Sequence, residues 1–127
     1  MWRVAIYARE TPGRSGRIRL DRQVAGLVSR VARQPDWRHV ATFADQSLSG
    51  DRPGLSRLFV EAPGNIDLLV VDGYGRLSVN RQELGDMLTH LNAVGVRTMV
   101  LPPSPGRRFA RAVANIALAD MIGEVAC

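Results

Sequence analysis

A chain of 127 residues, 46% of them hydrophobic, can bury one core without disulfide staples and is too apolar for a disordered polyelectrolyte. Its 17 cationic residues are all arginine and face 12 acids; coding bias accounts for the missing lysine but not for the net +5, which favours polyanionic partners, nucleic acid first. The single cysteine, Cys127, excludes an internal disulfide and a cysteine-based metal cluster, and His39 and His90 lack ligand-like spacing.

The first apolar run, Trp2–Ala8 (WRVAIYA), reads as a strand. It is too short and too quickly charged for a signal peptide, and no run reaches membrane-spanning length, so a cytoplasmic protein with no membrane partner is expected. Next comes RETPGRSG (Arg9–Gly16), which brings an arginine, a hydroxyl and glycines to the strand's mouth. Leu20, Val24, Leu27, Val28 and Val31 then recur at helical spacing and predict a helix over Arg19–Gln34. A second strand is expected over Arg38–Ala44, and a short helix over Arg52–Ala62 with Pro53 in its first turn. Asp67–Asp72 (DLLVVD) reads as a third strand. Leu84, Met87, Leu88 and Leu91 predict a helix within Asn80–Gly95, with Gly95 as its stop, and Arg97–Pro102 reads as a fourth strand.

The closing segment, Gly106–Cys127, carries two apolar stripes. Phe109, Val113 and Ile116 form one; Leu118, Met121, Ile122 and Val125 form another, displaced around the axis. Such a helix is either a central core helix or one that packs partly on its own domain and partly on a partner subunit. The alternation of strands and helices gives an α/β fold, a mainly parallel sheet flanked by helices, in a single domain over residues 1–127.

In such sheets chemistry gathers beyond the carboxyl ends of the strands, here the loops 9–19, 45–52, 73–79 and 102–107. Arg9, Arg52 and Arg76 each follow a predicted strand, and Asp45 ends the second. Guanidiniums converging beside a carboxylate can clamp a phosphodiester and stabilise charge on its oxygens. Taken singly, each arginine is more often a solvated surface cation or half of an ion pair, and it is the placement at three separate strand ends that raises the joint case. DGYGRLS (Asp72–Ser78) lacks the third glycine of a dinucleotide-binding loop, and no GKS, GKT or acid cluster is present, so neither a metal nor a cofactor is expected.

The stretches VAIYARET, LDRQVAGL, FADQSLSGDRPGLSRL and DLLVVDGYGRLSVNRQEL, with the segment after LPPSPGRRFARAV, run in order over nearly the whole chain. Together they resemble the N-terminal catalytic domain of the serine recombinases, the resolvase/invertase family. That resemblance implies cutting of both DNA strands through a serine that becomes linked to phosphate. It also implies arginines at the transition state, no metal, a long C-terminal dimerisation helix, and dimers that pair into tetramers.

Position by position, Arg9 matches the arginine two residues before the nucleophile, and Asp45 and Arg52 match the acid and arginine of the D…SG…DRPGL segment. Gln23 resembles the family glutamine of the first helix, behind a loop that looks a few residues longer than in compact resolvases. Arg76 fits the first arginine of the D-R-L-x-R motif. Three positions depart: the nucleophile falls on Thr11, the motif acid on Gly75 and its second arginine on Val79.

Thr11 keeps a hydroxyl, but its β-methyl stiffens χ1 and crowds in-line attack, and Pro12 biases it towards extended geometry. Glu10 brings negative charge next to an anionic substrate, or points away. Ser15 is a remote substitute nucleophile, placed here on a mobile loop. Losing one transition-state donor at Val79 costs on the order of 10²–10³ in rate, and Gly75 is expected to free the arginine that its acid would orient.

Two functions follow. One is an impaired pseudoenzyme acting as a DNA-associated dimerisation or regulatory module, a homodimer or higher oligomer through its terminal helix, with an active recombinase relative as a further partner. The other is an active site-specific recombinase using Thr11, with Arg9, Arg76, Arg52, Asp45 and Gln23 around it. A small α/β module binding a phosphorylated ligand is a third reading. The family's separate DNA-binding region is expected after the long helix, within which this sequence stops.

Overall fold

The computed structural model describes residues 1–47 and 50–103. Four strands alternate with helices: β1 (Trp2–Glu10), α1 (Arg14–Ala32), β2 (Trp37–Gln46), α2 (Pro53–Glu61), β3 (Leu68–Val71), a 3₁₀ turn (Tyr74–Arg76), α3 (Arg81–Ala93) and β4 (Arg97–Val100). All strands pair in parallel in the order β2-β1-β3-β4.

β1 sits inside the sheet, and Val4 through Ala8 are fully buried. That is why its sequence is a continuous apolar run rather than an alternating one. β2, at the edge, exposes Arg38, His39 and Val40. Successive side chains of the inner strands go to opposite layers. Val4, Ile6, Leu68 and Val70 pack with Leu27 and Val31 of α1. Ala5, Tyr7, Leu69 and Val71 pack with Leu55, Leu58, Leu77 and Leu91 beneath α2, the 3₁₀ turn and α3. Each large apolar side chain buried in this way stabilises the fold by about 1.5–3 kcal/mol.

The elements predicted up to Pro102 are present, with shifted ends. α1 begins at Arg14, five residues before the expected Arg19. Its first turn is polar and solvent-facing apart from Gly16, so apolar periodicity is silent until Leu20. The loop after β1 is therefore only the three residues 11–13, shorter than the expectation of an extended loop. Gly16 is required by close approach: a Cβ there would overlap the Thr11 carbonyl oxygen. α3 is capped by the Asn80 side chain, which accepts from the Glu83 N–H at 2.9 Å, and is followed by Gly95 at φ 86°, the predicted stop. Among the described residues no helix is long and apolar enough to cross a membrane. The expected terminal helix, with Phe109, Val113, Ile116, Leu118, Met121, Ile122 and Val125, lies outside the described residues.

With β2 on one side of β1 and β3 on the other, the outgoing chains diverge at the carboxyl ends of β1 and β3. That divergence opens the crevice in which such sheets receive ligands.

Candidate active site

The side of the crevice next to β2 is a buried frame. Asp45, 4% exposed, accepts from the backbone N–H groups of Gly54 (2.8 Å) and Leu55 (2.9 Å) and from the Tyr7 hydroxyl (2.8 Å). Its carboxylate thus meets the positive end of α2 and satisfies two otherwise unpaired donors. Gly54 makes this possible, since a Cβ there would overlap the Ala44 carbonyl oxygen. Burial pushes the Tyr7 phenol pKa up, Arg52 pulls it back and Asp45 raises it again, so the hydroxyl stays protonated. Tyr7 accepts from Arg52 Nη2 at 2.8 Å and from Nε at 3.2 Å. The same guanidinium donates to the carbonyls of Leu77 (2.5 Å) and Arg76 (2.6 Å). Arg52 therefore clasps the 3₁₀ turn, and all three of its nitrogens are engaged.

At the end of β1, Arg9 lies opposite Asp45 in the ladder. Its backbone N–H donates to Gln23 Oε1 (3.0 Å) and its carbonyl accepts from Gln23 Nε2 (3.2 Å), so the Gln23 amide of α1 pairs with it as a neighbouring strand would. Arg9 Nε donates to the Ser47 carbonyl at 2.8 Å. Arg76 reaches in from the 3₁₀ turn: Nε donates to Asp72 Oδ1 (2.8 Å), and Nη1 to the Arg9 carbonyl (2.9 Å) and Glu10 Oε2 (3.3 Å). Burial works against the charge on Arg76, but Asp72 and Glu10 more than offset it and raise its pKa.

Glu10 points into this cluster, and its side chain is 12% exposed. Oε1 accepts from the Thr11 N–H (3.1 Å) and from Arg19 Nε (3.2 Å), while Oε2 faces Arg76. The Thr11 N–H, then Arg19 and Arg76, hold the Glu10 carboxyl below its ordinary pKa despite burial. Arg19 Nη2 also donates to Thr11 Oγ1 at 2.7 Å. The Thr11 carbonyl accepts from Gln46 Nε2 at 3.2 Å.

The structure brings Arg9, Thr11, Gln23, Asp45, Arg52 and Arg76 around the ends of β1 and β2, though not as open cations about one acid. Asp45 and Arg52 are spent on α2 and on the 3₁₀ turn. Arg76 is not freed by Gly75, because Asp72 at the end of β3 orients it instead. Ser15 is no loop residue: it is exposed in the first turn of α1. Val79 is 90% exposed, and a Cβ at Gly75 would make only ordinary contact with Val79 Cγ1 at 3.9 Å.

Arg19, Asp72 and Tyr7 were not singled out from the sequence. Asp72 carried a signal, four residues before Arg76 at the end of an apolar strand. Tyr7 was a hydroxyl within an otherwise aliphatic run. Arg19 carried none. Among the described residues no three His, Cys, Asp or Glu side chains gather closely enough to hold a metal ion.

A 2-1-3-4 parallel sheet with arginines gathered at its switch point defines a doubly wound α/β domain. The model of the "Resolvase, N terminal domain" family matches residues 4–126, and the chain belongs to that family. Among solved structures, the C-terminal catalytic domain of ISC1926 TnpA, an IS607-like serine recombinase, is similar at TM-score 0.69 and 23% identity, over 80% of this chain and 71% of that one. A resolvase family site-specific recombinase from Streptococcus pneumoniae aligns at TM-score 0.69 and 16% identity, over 97% and 90%. The N-terminal catalytic domain of TP901-1 integrase aligns at 0.68 and 22%, over 96% and 95%. No curated protein matches the sequence.

Proposed function

We propose that this serine-recombinase catalytic domain has lost strand cleavage and serves as a DNA-associated dimerisation or regulatory module. The observation that carries this reading is the Glu10 carboxylate. It lies across Arg19, Arg76 and the Thr11 N–H, donors that a scissile phosphate would otherwise meet. A phosphodiester entering there must displace a nearly buried carboxylate or be repelled by it, and the nucleophile position holds a stiffer, more crowded hydroxyl. The absent second arginine removes a further donor from the transition state. Self-association through the segment after Pro103, and pairing with an active relative, belong to the same proposal.

The test is a graft. This domain replaces the catalytic domain of a well-behaved resolvase, joined to that resolvase's own DNA-binding region, and is assayed on that resolvase's site. The unaltered domain is expected to give no recombination. A variant with Thr11→Ser, Gly75→Asp, Val79→Arg and Glu10→Gln is expected to restore it. Recombination by the unaltered domain overturns the proposal, and silence from both means that the frame has been lost along with the chemistry.

A second reading, cleavage through Thr11, is favoured by one contact: the Arg19 guanidinium on the Thr11 hydroxyl at 2.7 Å stabilises a developing alkoxide. It predicts covalent protein–DNA adducts that vanish in Thr11→Val.

A further inference from the structure

One face of α1 runs out of the crevice along the helix, and beyond Arg19 it has no part in the crevice chemistry. Arg19, Arg22, Gly26, Arg30 and Arg33 recur at helical spacing along it, from the crevice towards the far end of the helix. They line an open groove of about 480 Å³ whose walls also include Glu10, Asp72, Arg76 and Pro103. Arginine outnumbers carboxylate in this lining by five to two. Both carboxylates are already committed, Glu10 to Arg19 and Arg76, and Asp72 to Arg76.

The remaining cations, Arg22, Arg30 and Arg33, form no ion pair among the described residues. Arg22 and Arg33 make no side-chain hydrogen bond or ion pair among the described residues, and both are exposed. Arg30 lies along the groove wall, with Nη1 on the Pro102 carbonyl at 2.7 Å. Its Nε is buried and has no acceptor among the described residues. Arg30 Nη2 would lie 3.4 Å from a Cβ at position 26, so the guanidinium sits over Gly26 at contact distance.

We propose that this α1 groove is a binding track for the phosphodiester backbone of duplex DNA, one that shares its inner end with the crevice and extends from it along α1 to Arg33. From Arg19 to Arg33 the stripe is about 21 Å long at the rise of an α-helix. Duplex DNA presents one phosphate per roughly 3.4 Å of axis on each strand, so the stripe can meet several phosphates in succession. The occupant is argued from charge complementarity. The chain's own continuation after Pro103 carries Arg107, Arg108 and Arg111 against Asp120 and Glu124, a net charge of the same sign as the groove. A backbone track holds DNA without reading sequence, which suits a domain that associates with DNA without cutting it. The inference rests on the DNA-associated reading above, but it does not depend on whether cleavage has been lost.

The experiment measures binding of the full chain to a labelled duplex of arbitrary sequence by fluorescence anisotropy over a salt series. Arg22→Ala/Arg33→Ala is compared with Arg38→Ala/Arg81→Ala, an equal charge loss at exposed sites outside the groove. The groove pair is expected to weaken binding about tenfold or more at low salt and to lower the log–log salt slope by about two. The control pair is expected to lose less than about threefold, as for a general change in net charge. Equal losses in the two pairs overturn the track, and so does a duplex that binds the groove variant as tightly as the wild type. Failure of the wild type to bind duplex removes the track and the DNA-associated reading together. Polyglutamate binding as tight as duplex at equal charge overturns the track in favour of an acidic protein partner. Recombination in the graft would sink the loss of cleavage and leave the track standing.

Discussion

Asp45 and Glu10 end adjacent strands, are both largely buried, and are held in opposite ways. The partners of Asp45 are two backbone N–H groups of α2 and the Tyr7 phenol. Those of Glu10 are two arginine heads and a single backbone N–H. A carboxylate tied to backbone positions an element, and the element cannot follow if the group is lost. A carboxylate tied to side chains positions only those side chains, which can turn to another anion. One crevice thus has a structural wall and an exchangeable one, and the changes at Thr11, Gly75 and Val79 fall outside the buried Asp45–Tyr7–Arg52 network.

The sharpest way to break this contrast is Asp45→Ala. It strands two α2 donors and the Tyr7 hydroxyl in a buried site and is expected to cost on the order of 3–5 kcal/mol, read by urea unfolding. A loss under about 1 kcal/mol would place Asp45 with Glu10 as an exchangeable group. Gly54→Ala tests the same wall from the helix side. Its Cβ must push α2 away from the Ala44 carbonyl, at a cost of about 1–3 kcal/mol in the same assay.

Glu10→Gln should lie at the other extreme. The amide oxygen can still accept from Thr11, so stability is expected to change by less than about 1 kcal/mol. Affinity for pyrophosphate, measured by calorimetry, is expected to rise several-fold as Arg19 and Arg76 lose their anion. Unchanged affinity would mean that the carboxylate does not compete for this seat.

Asp67 supplies an intermediate case and the smallest effect. It opens β3 by taking the Arg3 side chain at 3.0 and 2.9 Å and the Arg3 N–H at 2.8 Å. The Arg3 side chain foremost, then its backbone N–H, lowers the Asp67 pKa from an ordinary 3.8 to about 2. A carboxyl depressed by folding stabilises the folded state above its unfolded pKa, and that contribution fades as pH falls from about 4 to about 2. Asp67→Asn is therefore expected to lower the melting temperature slightly at neutral pH and to flatten its fall across that window. Melting curves from pH 7 to 2 read both.

The sheet was legible because β1 and β3 are apolar on both faces and the intervening helices repeat at helical spacing. The start of α1 was not, because its first turn buries nothing but Gly16, whose role is to admit the Thr11 carbonyl. The positions of Arg9, Asp45, Arg52 and Arg76 were legible from the strand ends, but their partners were not. Arg52 donates to the carbonyls of Arg76 and Leu77, and sequence marks no carbonyl as an acceptor. The direction of Glu10 was equally hidden, since it depends on Arg19 and Arg76 arriving from two different elements.

The Arg52 clasp also bears on how this scaffold can be re-engineered. Arg76 owes its place to a guanidinium 24 residues upstream, because Arg52 grips the carbonyl of Arg76 itself. Two segments distant along the chain therefore behave as one mechanical part. A designer who transplants the segment around Arg52 from another scaffold, or replaces Arg52 by a lysine that can make fewer simultaneous contacts, will displace Arg76 without having touched it. The practical unit of exchange is the pair, the residues leading into α2 together with the turn after β3, moved as a single cassette.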